Sequence, residues 1–148
     1  MFHLCYIHAV RRHDCFMQIE WSVVPRGDVH PSHTRIYVTL NKKGEIVLNG
    51  TAYRRIGEPP AFLLKYNKLH NLIAMHPADA SEKNAFPARK YGRRNARVVR
   101  AFRLLIENDI QLHDTIVFPD AKIVLNHIMF LDLKTARISP RAHSQCRK

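Results

Sequence analysis

The chain has 148 residues, with 24 Lys and Arg against 12 Asp and Glu, and a formal net charge of +12. Hydrophobic residues make up 46%, which excludes a wholly disordered basic tail, and 5 glycines and 8 prolines are too few for a low-complexity chain. No uncharged apolar run reaches the roughly 18 residues that a membrane helix needs. The excess positive charge favours a polyanionic partner, either a nucleic acid or an anionic membrane surface.

Residues 1–34 are predicted to be an N-terminal extension, with a short strand at 18–24. Met17 opens the more regular sequence and is a candidate for the true start. Five potential metal ligands lie before it, but their spacing matches no familiar zinc pattern: His3, Cys5, His8, His13 and Cys15. The 3 cysteines include no CxxC pair, and no signal-peptide core follows the first methionine. We therefore expect a reducing compartment, the cytoplasm.

Residues 35–77 show a regular alternation of predicted strands and turns. Residues 36–40 and 45–48 predict two strands around a turn that contains Gly44. A short helix follows, capped by Asn49 or Thr51 and ended by Gly57. Residues 61–66 and 72–75 predict two further strands, the second closed by Pro77. An ordinary β-meander with one helical turn would give the same pattern.

Two stretches here resemble the AbrB/SpoVT/MazE type of swapped-hairpin DNA-binding domain: VTLNKKGEIVL at 38–48 and YRRIG at 53–57. Where that family usually has proline after the second strand, this chain has Asn49 and Gly50. The resemblance implies that two chains exchange hairpins to form a dimeric barrel. It also places a first basic set against DNA, on the hairpin and the helix: Arg35, Lys42, Lys43, Arg54 and Arg55.

A second basic set follows, because the stretch from Lys83 to Arg103 contains eight basic residues and no Asp or Glu. Residues 89–108 predict a helix with an apolar stripe that runs from Val98 to Ile106, and with Arg93, Arg97 and Arg100 on another face. The alternative is a strand, although neither of its faces is cleanly apolar. The candidate DNA-contacting residues of this set are Arg89, Lys90, Arg93, Arg94, Arg97, Arg100 and Arg103.

The last part of the chain predicts a second hairpin and a basic tail. Residues 112–118 and 122–133 read as strands joined by a turn at 119–121. The hairpins could form a degenerate repeat, but the sequence gives no register for one. The predicted fold class is α+β, a small β-rich protein of hairpins with short helices. The predicted divisions are an extension (1–34), an AbrB-like hairpin domain (35–80), a basic segment with a second hairpin (81–136) and a tail (137–148).

Enzymatic chemistry has little support in the sequence. No G-x-S-x-G, H-E-x-x-H, P-loop or GxGxxG motif is present. His113 and Asp114, with Asp120, are the strongest candidate for a catalytic pair, and a lone His-Asp dipeptide is unspecific. We expect no enzyme, no cofactor and no metal, and a small nuclease ranks last.

The sequence favours a cytoplasmic DNA-binding protein, a transcriptional regulator or antitoxin-like partner that acts as a homodimer without contacting membranes. It would bind by neutralising phosphates, with limited readout of bases. The alternatives are an RNA-binding or ribosome-associated protein and a module that binds an acidic protein. Each basic set could also be no more than a solvated face. Tyr37, Tyr53 and Tyr91 lie near these sets, where they could stack on bases or pack in the core.

Overall fold

The computed structural model describes residues 35–140, so the predictions for 1–34 and 141–148 lie outside the described residues. Within this range the chain forms eleven strands, two short α-helices and one 3-10 turn, Leu125–His127. The helices are α1 (Gly50–Arg55) and α2 (Phe102–Glu107). The strands are β1 (Val38–Leu40), β2 (Glu45–Leu48), β3 (Ala61–Asn67), β4 (Leu72–Ala78), β5 (Phe86–Pro87), β6 (Arg89–Tyr91), β7 (Ala96–Arg100), β8 (Ile116–Val117), β9 (Lys122–Val124), β10 (Ile128–Asp132) and β11 (Arg137–Ile138). The predicted α+β class is confirmed.

The elements predicted between residues 36 and 75 are confirmed, with small shifts of their ends. Asn49 is the cap of α1, since its Oδ1 accepts a hydrogen bond from the backbone N–H of Ala52 at 2.9 Å. Gly57 follows α1 with a φ of 91°, which glycine adopts at little cost. Pro77 does not close β4 but lies inside it, opposite Phe62 of β3. Its missing N–H is tolerated because the neighbour of β4 on the other side, β10, pairs only with residues 72–75.

The helix predicted over residues 89–108 is wrong. Residues 89–100 form β6, a turn and β7, and only Phe102–Glu107 is helical. Val98 and Val99, which the prediction placed on one helix face, point to opposite faces of the sheet because they are successive residues of β7. Val99 lies opposite Ile46 of β2 and is fully buried. Pairing with β2, far away in sequence, therefore overrides the local helical pattern.

The predicted hairpin between residues 112–118 and 122–133 is also wrong. β8 covers only Ile116–Val117, and it pairs with β1 and β11 rather than with β9. Residues 122–133 do not form one strand, because Asn126 and His127 adopt positive φ values of 66° and 58° and divide the run. The hairpin that does form here joins β9 to β10.

The strands assemble into two antiparallel sheets that both mix early and late parts of the chain. The six-stranded sheet has the order β11-β8-β1-β2-β7-β6, and the five-stranded sheet has the order β5-β3-β4-β10-β9. At the centre of the first, Ile46 of β2 lies opposite Val99 of β7. At the centre of the second, Met75 of β4 lies opposite Met129 of β10. Strands from before and after residue 80 are thus hydrogen-bonded neighbours in each sheet.

The two halves of the chain follow the same path. The order β1-β2-α1-β3-β4 recurs as β6-β7-α2-β9-β10, and each sheet reads symmetrically about its centre, as β1-β2-β7-β6 and as β3-β4-β10-β9. The six residues of α2 begin 52 positions after those of α1. Gly57 and Asp109, also 52 positions apart, both adopt positive φ just beyond their helix. The topology therefore has an approximate two-fold relation, with β5, β8 and β11 added at the edges.

The core is one cluster of buried side chains drawn from both sheets and both helices. The six-stranded sheet contributes Leu40, Ile46 and Leu48, which are fully buried. The five-stranded sheet contributes its own fully buried residues, of which Phe62 is the largest. Burial of such side chains stabilises the fold by roughly 1.5–3 kcal/mol each, so the joint core holds the two sheets in place.

Candidate nucleic-acid interface

The first basic set is centred on a tight turn between β1 and β2, called here the first turn (residues 41–44). Asn41 shapes it, because its Oδ1 accepts hydrogen bonds from the backbone N–H groups of Lys43 and Glu45, each at 3.0 Å. Gly44 closes the turn with a φ of 75°. Lys42 and Lys43 at the tip are both exposed to solvent. The turn thus presents two ammonium groups to solvent on a backbone held by hydrogen bonds.

The second basic set is centred on a similar turn between β6 and β7, called here the second turn (residues 92–95). Gly92 and Asn95 adopt positive φ values of 67° and 53°, and Arg93 and Arg94 between them are exposed. The Nδ2 of Asn95 donates a hydrogen bond to the Oε1 of Glu58 at 3.1 Å, which ties the turn to the end of α1. The predicted helical placement of these arginines is therefore replaced by a hairpin turn.

Each turn packs against the start of the helix that belongs to the other half of the chain. A Cβ built on Gly44 would overlap the backbone of Phe102, the first residue of α2, with Phe102 N at 2.9 Å. A Cβ built on Gly50, the first residue of α1, would lie 2.5 Å from the carbonyl oxygen of Arg94. Both approaches are too close for any side chain larger than hydrogen. The glycines therefore allow the two halves to interlock.

Between the turns, one face of the six-stranded sheet is only partly covered, and we call it the outer face. Its central row joins residues that lie directly opposite one another on neighbouring strands and so share a face: Arg137, Val117, Thr39, Val47, Val98 and Arg89. Arg100 joins this face two residues beyond Val98 on β7. Arg89, Arg100 and Arg137 are exposed, so three guanidinium groups border this face.

Arg137 was not among the predicted site residues. The sequence placed it at the start of a basic tail, and although its partner Val117 lies within the predicted strand 112–118, no local pattern indicates that the two residues pair. Its position becomes visible only through the pairings of β11 with β8 and of β8 with β1.

The outer face also carries one acid and two aromatic rings. Glu45 lies opposite Arg100, and the two charged groups are 3.9 Å apart with 67% of the Arg100 side chain exposed. Such an exposed, long contact contributes at most about 1 kcal/mol, so Arg100 stays free to engage another anion. Tyr37 and Tyr91, which are 37% and 51% exposed, share this face by strand alternation.

Two residues of the second set, Arg97 and Lys90, lie on the opposite face of the sheet, where Lys90 is exposed and Arg97 packs toward the core. Arg97 is opposite both Leu48 and Lys90, and it is half-buried. Its guanidinium carbon is 4.6 Å from the centre of the Tyr53 ring, a cation–π contact. This contact gives Arg97 a packing role within the fold. Arg93, Arg97 and Arg100, which were predicted to line one helix face, therefore occupy a turn and two opposite faces of a strand.

The remaining predicted residues lie beside the sheet. Arg54 and Arg55 are exposed in the last turn of α1, and Arg35 is exposed just before β1. Arg103 on α2 is 2.5 Å from the carboxylate of Glu107, and this hydrogen bond, with the charge of Glu107, raises the pKa of Arg103. Among the described residues, the Arg100–Glu45 and Arg103–Glu107 contacts are the two ion pairs, which leaves the basic groups of both turns without an acid partner.

Other kinds of site receive no geometric support from the described residues. His113, Asp114 and Asp120 are all exposed, and within 35–140 no group of three or more His, Cys, Asp or Glu side chains could hold a metal ion. The histidines and cysteines of residues 1–16 lie outside that range. None of the described helices is long and apolar enough to cross a membrane.

The twelve predicted site residues thus divide into three groups. The two turns hold Lys42, Lys43, Arg93 and Arg94, the outer face holds Arg89 and Arg100, and the others lie at the ends of the helices, before β1 or on the opposite face of the sheet. The two sets that the sequence separated by about fifty residues are brought onto adjacent hairpins of one sheet. The chain matches no known protein family, no curated protein and no solved structure. Its likeness to the AbrB type therefore rests on the residues quoted above.

Proposed function

We propose that this chain is a DNA-binding protein of the cytoplasm, a transcriptional regulator or antitoxin-like partner. It contacts duplex DNA with the two turns and the outer face of the six-stranded sheet. One observation carries the proposal: two basic segments from distant parts of the sequence lie on adjacent hairpins, β1–β2 and β6–β7, with their charged groups exposed. A charge concentrated on one sheet supports a polyanionic partner better than the net charge of the chain does.

The chemistry of the side chains suits phosphate. The planar guanidinium groups of Arg93 and Arg94 can each donate two parallel hydrogen bonds to a phosphate, whereas Lys42 and Lys43 act as mobile point charges. Arg89, Arg100 and Arg137 extend the same field across the sheet. Contacts of this kind position a protein on the duplex and carry little sequence information, so base readout is limited.

The proposal is tested by measuring binding of the full chain to a duplex of about 20 base pairs, to a structured RNA and to polyglutamate. If the four basic residues of the two turns each neutralise one phosphate, affinity for DNA falls about 150-fold between roughly 50 and 200 mM salt. Preference for duplex DNA with this salt dependence supports the proposal. Equal binding to all three polyanions, or preference for polyglutamate, contradicts it.

A second candidate, binding of single-stranded RNA, is favoured by the exposed Tyr91 and Tyr37 among the arginines of the outer face. Stacking of one base on an aromatic ring contributes about 1–3 kcal/mol, and it needs an unpaired base. Tyr91→Ala would then lower affinity for single-stranded RNA by roughly tenfold or more. In the DNA proposal, the same substitution leaves duplex binding nearly unchanged, which separates the two candidates.

A further inference from the structure

The two turns are alike in composition although they come from different halves of the chain. The first reads Asn-Lys-Lys-Gly and the second Gly-Arg-Arg-Asn, so each has four residues with two adjacent cations at its tip. Both use positive φ, at Gly44 in one and at Gly92 and Asn95 in the other. The resemblance to swapped-hairpin domains covers only the first turn, and it does not account for the second.

The strand pairing relates these turns by the approximate two-fold axis of the fold. β2 and β7 run antiparallel, with Glu45 opposite Arg100 and Leu48 opposite Arg97. The first turn precedes Glu45, and the second turn precedes Ala96, so the two turns lie at opposite ends of this strand pair. Both hairpins of this pair are supplied by the same chain.

We propose that a single chain binds one DNA duplex with both turns at once, an arrangement called here the paired grip. One turn contacts phosphates at one end of the outer face, and the other turn contacts phosphates at the opposite end. This inference rests on the proposed function and adds to it the pairing of the contacts and a stoichiometry of one chain per duplex, in place of the homodimer expected from the sequence. The two grips are chemically unlike, because one presents lysines and the other arginines. Because its two turns differ, such a chain would bind its target in one preferred orientation, and it would not require a palindromic site.

The dimensions of the sheet suit this arrangement. The tips of the two turns are separated by about seven residues of extended strand along the β2–β7 pair. At about 3.4 Å per residue, this separation is roughly 20 to 25 Å. Phosphates follow one another along each DNA strand at about 3.4 Å per base step, so the tips reach phosphates six to seven base pairs apart. Because the turns belong to one hydrogen-bonded sheet, binding by one places the other at a high effective concentration near the duplex.

The test uses the full chain in three variants: Lys42→Ala with Lys43→Ala, Arg93→Ala with Arg94→Ala, and a control, Lys68→Ala with Lys134→Ala. The control removes the same charge from exposed residues in turns beside the five-stranded sheet. Affinity for duplex DNA is measured against salt, and the mass of the free protein and of the complex is determined by light scattering. The melting temperature of each variant verifies that it folds.

We expect one chain per duplex. In each turn variant, the slope of log affinity against log salt concentration should become shallower by about two, because two phosphate contacts are lost. That loss corresponds to about 60-fold weaker binding at 0.1 M salt, while the control stays within about twofold of the parent. If the parent protein binds DNA, a complex with two chains, or a turn variant that keeps the parental slope, overturns the paired grip and leaves the proposed function standing. Absence of duplex binding by the parent protein overturns the proposed function, and the grip with it.

Discussion

Gly44 offers the sharpest test of how the two halves of the chain interlock. Replacing it with alanine places a methyl group against the backbone of Phe102, with Phe102 N at 2.9 Å and Phe102 Cβ at 3.0 Å. These neighbours are fixed at the start of α2, and the Ala101 N–H donates a 2.7 Å hydrogen bond to the Gly44 carbonyl oxygen. The first turn and α2 therefore cannot both keep their positions.

The matched control is Gly92→Ala in the second turn. Gly92 has nearly the same positive φ, 67° against 75°, but nothing lies within 4 Å of its added Cβ. Both substitutions cost about 1–2 kcal/mol for a left-handed alanine. Gly44→Ala alone also costs about 1–3 kcal/mol for the backbone overlap.

The free energy of unfolding of both variants is measured by urea denaturation followed by circular dichroism. We expect Gly44→Ala to lose roughly 1–3 kcal/mol more than Gly92→Ala, and its melting temperature to fall further by about 3–5 °C for each additional kcal/mol. Equal losses in the two variants would show that the first turn does not pack on α2 in solution.

Substitutions at three further positions test other parts of the molecule. Asn49→Ala should lower the free energy of unfolding by about 2 kcal/mol, because Asn49 Oδ1 accepts from Ala52 and Tyr37 and its Nδ2 donates to the Arg35 carbonyl oxygen. Asn49→Asp, which keeps the acceptors, should lose less in the same urea titration. Burial, and then the charge of Lys65, lowers the pKa of His76 below 6.5, so its contribution to stability is complete above pH 6.5 and is lost as the pH falls below its folded pKa. The melting temperature of His76→Gln should therefore fall less on acidification than that of the parent protein, and an equal fall would contradict this. Arg103→Ala should weaken duplex binding in the salt titration less than Arg93→Ala, because Glu107 already engages the Arg103 guanidinium.

The local pattern was enough to predict β1, β2, α1, β3 and most of β4. In each of these, the signal is carried by neighbours in sequence. Asn49 caps α1, Gly44 closes a turn, and the strands alternate between buried and half-covered residues, as in β2. The main local error, at Pro77, arose because whether a proline ends a strand depends on which of its edges is paired.

The error over residues 89–108 has a different cause. Arg97 lies on the core face of β7, where its guanidinium covers the ring of Tyr53, so the strand lacked the clean apolar face that the pattern required. Of the predicted stripe, only Leu105 is both helical and buried, because Phe102 and Ile106 of α2 are 53% and 62% exposed. A half-buried arginine on the core face can be recognised only when the aromatic ring that it covers is known.

The joining of the two basic sets depends on contacts that no local pattern encodes. Val47 of β2 lies opposite Val98 of β7 across about fifty residues of chain. β8 lies within the predicted strand 112–118, but its pairing with β1 and with the two-residue β11 could not be predicted from the local pattern. The residue types of the candidate site were predictable from the sequence. Their arrangement as two turns around a shared outer face was not.

The most direct test of the account is a hydrogen-exchange map of the full chain, free and bound to duplex DNA. If the six-stranded sheet is the interface, protection on binding concentrates in the two turns, residues 41–44 and 92–95, and in the β1, β2, β6 and β7 strands that flank them. Amides of β9 and β10 in the five-stranded sheet should keep their exchange rates. Protection confined to that second sheet, or to the basic tail at 137–148, would contradict the assignment of the interface.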